Sequence, residues 1–138
     1  MKKEILLLLI FIAILTPYAC EDSTLFVDCD KCYESISEKV YVRLKITIDE
    51  ENLFVPITLY RGNIDNGDII LTDTAYSDIF YSRDIEVGEH YSAIAKYSHK
   101  GRIIYAVDGQ KLRKKHIKNS CEEPCYIIEG DVLNLRLK

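Results

Sequence analysis

The chain has 138 residues, five cysteines, ten tyrosines, no tryptophan and a formal net charge of −4 at neutral pH. That length suits one domain with one real core. The acidic balance argues against a general nucleic-acid binder, which needs an excess of cations to neutralise phosphates.

Lys2 and Lys3 give a short positive start, and Ile5–Leu15 is an unbroken apolar run. About eleven such residues make a helix of roughly 16 Å, too short for a hydrocarbon core of ~30 Å. A charged start and an apolar stretch of this length mark residues 1–19 as an export signal, expected to be helical. Thr16-Pro17-Tyr18-Ala19-Cys20 resembles a bacterial lipobox, with Pro17 where that pattern usually has Leu. Cutting before Cys20 makes it the first residue and the lipidated one. Ordinary signal cleavage after Ala19 is the alternative. Each buried acyl CH₂ contributes ~0.8 kcal/mol, so several chains on Cys20 hold a small domain firmly. Removing residues 1–19 takes away Lys2, Lys3 and Glu4. Lys+Arg falls from 18 to 16 and Asp+Glu from 22 to 21, for a mature charge of −5.

Cys20–Thr24 is a short acidic tether, and Leu25–Val27 has the character of a short strand. Cys29 and Cys32 form a first C-x-x-C, followed by the polar linker Glu34–Glu38. Residues 20–38 are therefore expected to form a tether with the first cysteine pair, and 39–138 the folded domain. In Lys39–Asp49, Val40, Val42, Leu44, Ile46 and Ile48 alternate with Lys39, Tyr41, Arg43, Lys45 and Thr47. Period two predicts a strand with one buried and one wet face. Leu53–Tyr60 is a second strand, and Pro56, lacking an N–H, predicts an edge or a bulge there. Arg61–Asp68, with Asn66-Gly67, reads as a hairpin loop. Ile69–Thr74 and Asp78–Ile85 are the next strands. A Gly turn at Val87–Glu89 precedes Tyr91–Tyr97, and Ser98–Gly101 turns the chain again. Arg102–Val107 is predicted to end at a two-residue hairpin, Asp108-Gly109. Lys111–Ile117 leads away from it. Tyr126–Ile128 and Val132–Leu137 close the chain, split by Gly130-Asp131. Seven to nine short strands with regular turn signals predict an all-β, mostly antiparallel β-sandwich.

The lipobox-like end, the C-E-D-S tether and the small β domain resemble exported lipoproteins common in Bacteroidota. Ile57–Thr74 and Val87–Tyr97 are similar to strand–turn–strand units of transthyretin-like and immunoglobulin-like modules; together with the leader and tether they cover about two fifths of the chain. The resemblance implies an Ig-like or transthyretin-like sandwich, lipid-anchored at the outer membrane or cell surface. It also implies that Glu21 and Asp22 favour surface display. Asp22-Ser23-Thr24 and Asp73-Thr74-Ala75 resemble that group's O-glycosylation motif.

Cys29 and Cys32 stand near one end of the mature chain, and Cys121 and Cys125 near the other. With Cys20 lipidated, four cysteines remain in an oxidising compartment, which predicts two disulfides. Bonds crossing between the two pairs are expected, because a closed loop of about ninety residues contributes on the order of 4 kcal/mol. The alternative is a tetrahedral zinc on the same four sulfurs.

Lys111, Arg113, Lys114 and Lys115 lie in the chain's one basic run, a candidate contact for acidic glycans, headgroups or a protein. Lysines that guard a β-edge are the favoured explanation, because the rest of the chain is acidic. Tyr41, on the wet face of the best strand, is a candidate sugar platform. His90, His99 and His116 show no metal-ligand spacing, and no serine lies in a nucleophile elbow. The expectation is a non-catalytic envelope module without cofactor. Its expected partners are the membrane, through the lipid, and an envelope protein or glycan.

Overall fold

The computed structural model describes residues 27–36 and 38–138. The expected signal helix, Cys20 and the tether through Phe26 lie outside the described residues. A 3₁₀ turn, Cys29–Lys31, comes first, with Asp28 accepting from the Asp30 N–H at its start. Among the described residues nine strands follow: β1 (Lys39–Lys45), β2 (Val55–Arg61), β3 (Asp68–Ala75), β4 (Ile79–Glu86), β5 (His90–His99), β6 (Arg102–Lys111), β7 (Arg113–Ile117), β8 (Cys125–Glu129) and β9 (Val132–Asn134). They form a three-stranded sheet β4-β1-β9, a four-stranded sheet β3-β2-β5-β6 and a two-stranded ribbon β7-β8. Every pairing is antiparallel except β1 with β9. The molecule is an all-β sandwich, as the alternation predicts.

Period-two patterning explains how the two larger sheets face each other. Val42 and Leu44 of β1, Ile46 beyond it, and Leu133 and Leu135 at the C-terminal end supply one inner face. Val55, Ile57 and Leu59 of β2, with Tyr91, Ala93, Ala95 and Tyr97 of β5, supply the other. Each fully buried Leu or Ile contributes about 1.5–3 kcal/mol relative to exposure. The Tyr97 hydroxyl, deep in this layer, donates to Leu135 O at 2.7 Å and accepts from the Thr47 N–H at 3.1 Å, so one phenol ties strands of both sheets. Burial pushes the Tyr97 phenol above its usual pKa, and Tyr91, which donates to Glu86 O at 3.0 Å, is raised for the same reason. Buried Asn52 closes the β1–β2 connection. It donates to Ser98 O at 3.0 Å and accepts from the Ser98 N–H at 2.8 Å.

Two local expectations are overturned. Asp108-Gly109 is not a turn, because β6 runs straight through it, paired with β5 from Arg102 to Lys111. A primed turn needs positive φ at both central residues, and Gly109 is not among the residues with positive φ. The glycine is there for closeness, since a Cβ would sit 3.0 Å from Ser92 Cβ. Asp108 instead accepts from the Asn134 N–H at 2.7 Å, tying β6 to β9 in the opposite sheet. The turn expected at Ser98–Gly101 is present, at Lys100-Gly101, with φ of 50° and 75° between the paired His99 and Arg102. Pro56 does not mark an edge, since β2 is flanked by β3 and β5. Its pairing with β5 begins only at Ile57↔Ala95, so the missing N–H forfeits no bond in that ladder. No bulge falls at Pro56 either: the register of β2 with β3 slips at Leu59/Tyr60, where the extra residue is Ile70 of β3.

Candidate functional site

The wet face of β1 carries Lys39, Tyr41 and Arg43. Beside it, β4 carries Tyr81 and Arg83, with Arg43 directly opposite Tyr81. The register slips between Val40 and Val42, so Arg83-Asp84 together oppose Tyr41, and Asp84 takes a φ of 59°. A bulge of this kind bends the strand and re-aims side chains. Tyr41 and Tyr81 are 59 % and 56 % exposed, far more than an aromatic needs for packing.

Two walls turn this face into a groove of about 950 Å³. One is the segment from Val27 to Ile36, including Tyr33. The other is the inner side of the ribbon, with Lys115 of β7 and Ile127 and Ile128 of β8. Tyr33 and Tyr126 exchange backbone hydrogen bonds at 2.9 and 2.8 Å, so the first wall is docked on β8 as a short extra strand. Two disulfides hold it there: Cys29–Cys121, with Cα atoms 5.8 Å apart, and Cys32–Cys125, with 5.5 Å. Both cross between the sequence clusters.

The electrostatics of the groove differ from those of the chain. Lys31, Lys39, Arg43, Arg83 and Lys115 face Asp28, Glu129 and Asp131, an excess of two cations in a protein of net charge −4. Lys31 pairs with Asp28 at 2.7 Å, which holds the Asp28 carboxyl below its usual range and the Lys31 amine above its own. Arg43 pairs with Asp131 at 2.7 Å and Lys115 with Glu129 at 3.1 Å. Arg83 makes no ion pair among the described residues, and it stands on the bulge next to Tyr41. A second cleft, of about 380 Å³ between β3 and β4, is bordered by the Arg61–Glu86 pair at 3.7 Å.

The structure divides the basic run that the sequence presents as one patch. Lys111 ends β6, and Leu112 is buried. Lys114 lies 4.2 Å over the Tyr126 ring, which also stacks on His116 at 4.6 Å. Lys115 turns to the groove, while Arg113 is exposed on β7. Tyr41 is in the groove; Cys20 lies outside the described residues. Tyr33, Tyr81 and Arg83 are missed by sequence reasoning. Only the cross-strand register brings them beside Tyr41, though Tyr81 and Arg83 show the same i, i+2 spacing as Tyr41 and Arg43.

The sulfurs of Cys32, Cys121 and Cys125 lie within 4.8 Å of one another. Zinc takes thiolates, so in the disulfide-bonded state the four cysteines act as a staple. Among the described residues no helix is long and apolar enough to cross a membrane. Comparison with protein-family models, with curated proteins and with solved structures gives no match.

Proposed function

We propose that the protein is an exported, lipid-anchored, non-catalytic module of the cell envelope. It holds an acidic glycan in the groove between β1–β4 and the stapled N-terminal wall. The observation that carries this reading is the pair of exposed rings, Tyr41 and Tyr81, on adjoining strands beside the unpaired Arg83. Flat aromatic faces stack on the apolar faces of sugar rings. A guanidinium offers a planar fork to a carboxylate or sulfate. The cation excess of the groove adds a field that a neutral sugar would not use. Residues 1–19 supply the export signal and Cys20 the anchor.

Binding of uronic-acid and neutral oligosaccharides of equal length, measured calorimetrically, tests the ligand class. Acidic chains should bind at least about tenfold more tightly, and Tyr41→Ala or Arg83→Ala should each weaken them by about ten- to a hundredfold, or about 1.4–2.7 kcal/mol. Equal binding of neutral and acidic chains, or unchanged binding by both variants, would refute the reading. Intact mass of the natively expressed protein tests the anchor: an acylated Cys20 should be the first residue, with about 4 Da gained on reduction as two disulfides take up hydrogens. A second reading rests on the clustered sulfurs of Cys32, Cys121 and Cys125: the reduced protein binds one zinc through these three and Cys29. Zinc titration of reduced protein, followed by cobalt substitution, checks it.

A further inference from the structure

Most sheet edges of this molecule carry a feature that discourages pairing with another chain. β3 carries Asp68 and Asp73. β4 is bent by the bulge at Arg83-Asp84. β7 carries Arg113, Lys114 and Lys115, and β9 is three residues long. Charges, bulges and shortness are the devices that keep edges unpaired. β6 has none of them over Ile103-Ile104-Tyr105-Ala106-Val107. This stretch has no charge and no proline, and its register with β5 is unbroken. β6 is the last strand of its sheet. Ile103, Tyr105 and Val107 are 60 %, 59 % and 49 % exposed.

The backbone of this edge has a definite parity. In a hairpin closed by two residues, the flanking pair exchanges both hydrogen bonds, and bonded and non-bonded pairs then alternate. The loop here is Lys100-Gly101, and His99↔Arg102 flanks it. Arg102, Ile104, Ala106 and Asp108 therefore use their N–H and C=O groups on β5. Ile103, Tyr105 and Val107 aim theirs away from the sheet, and none of the loop and inter-element backbone bonds takes them up.

We propose that two copies of the chain pair antiparallel through β6, centred on Tyr105, joining their four-stranded sheets into one continuous sheet. Parity allows a two-fold axis at any residue from 103 to 107, provided that odd positions face odd positions. Within the uncharged stretch 103–107, only the centre at Tyr105 pairs all three outward-facing residues of each copy with one another, giving about six backbone hydrogen bonds. Ile103 then lies against Val107 of the second copy, and Tyr105 against its own equivalent. The same register sets Arg102 opposite Asp108 of the second copy at both ends. Asp108 is already fixed there by the Asn134 and Gly109 N–H groups at 2.7 and 2.8 Å, and Arg102 makes no ion pair among the described residues. The strand is thus self-complementary in bonding, in shape and in charge.

The test uses the full exported chain in detergent, by sedimentation velocity across a wide concentration range, with three variants. Wild type should shift from monomer to dimer. Tyr105→Pro removes an N–H that the monomer does not use, as edge strands tolerate. It should keep the wild-type melting curve while raising the dimer dissociation constant at least about a hundredfold. Under mild oxidation Tyr105→Cys should cross-link two chains, because hydrogen-bonded antiparallel partners stand about 5.5 Å apart at Cα, within disulfide reach. Ile103→Cys should not, being displaced from the axis. Wild type that stays monomeric at about 100 µM, unaltered association of Tyr105→Pro, or cross-linking of Ile103→Cys in place of Tyr105→Cys would each overturn the proposal. A monomer that binds only foreign extended peptides at this edge would do so as well.

Discussion

The two disulfides run side by side, and this makes their contributions non-additive in a way that can be measured. Cys29–Cys121 and Cys32–Cys125 span 92 and 93 positions of sequence. Either alone closes almost the same long loop, worth about 4.6 kcal/mol of unfolded-chain entropy at 25 °C. Once one is present, the other closes only a ring made of Cys29–Cys32 and Cys121–Cys125, about nine residues, worth about 2.6 kcal/mol. Replacing Cys29 and Cys121 with Ser should therefore cost about 2.6 kcal/mol, and so should replacing Cys32 and Cys125. Replacing all four should cost about 7 kcal/mol, enough to leave a domain of this size marginal. In urea, with a slope of about 1.5 kcal/mol/M, the first step lowers the midpoint by about 1.7 M and the second by about 3 M more. The assay is equilibrium unfolding of the wild type, the two paired variants and the quadruple variant. If either paired variant loses about 4.6 kcal/mol while the other bridge is intact, the shared-loop reasoning fails.

Leu44→Ala empties the centre of the inner face of β1, where Leu44 is fully buried; a loss of about 2–5 kcal/mol is expected from thermal unfolding. Gly67→Ala drives a Cβ to 2.5 Å from Arg61 O and 2.6 Å from Asn63 O, so the β2–β3 loop must shift. The expected cost is about 1–3 kcal/mol, with a fall in melting temperature of about 4–8 °C per kcal/mol. Tyr97→Phe leaves Leu135 O and the Thr47 N–H without their shared partner and should cost about 1–3 kcal/mol. Because the folded Tyr97 phenol is raised, its contribution is intact below the ordinary tyrosine pKa of about 10 and is lost as pH climbs through the folded value. Wild type should thus weaken above pH 10 more steeply than Tyr97→Phe, measured as midpoint against pH.

How legible these features are in the sequence depends on how local their causes are. Val42, Leu44 and Ile46 are readable because a strand's side chains alternate whatever it pairs with, and the loop from Gly62 to Gly67 is readable because its chemistry is contained in its own residues. Asp108-Gly109 misleads for the opposite reason. A two-residue turn and a closely packed strand both call for glycine, and only Ser92 on the neighbouring strand decides between them. Pro56 misleads because its tolerance depends on where the β5 ladder starts, which no residue near it encodes. The crossing of the disulfides is readable from loop length, but which cysteine meets which is set by Tyr33 docking on Tyr126. The groove is hidden for the same reason: Tyr41 is visible by its strand parity, while Tyr81 and Arg83 become its neighbours only through the bulged register.

The twin bridges also govern how tension would travel through the molecule. Strands β1 to β7 all lie between Cys32 and Cys121. A pull between the N-terminal side of Cys29 and the C-terminus passes through sulfur to the stretch after Cys121 and leaves those seven strands outside the load path. Only the last two strands, β8 and β9, stand in line with the force, so the sandwich can be dragged or sheared by its leading end without being unravelled from it.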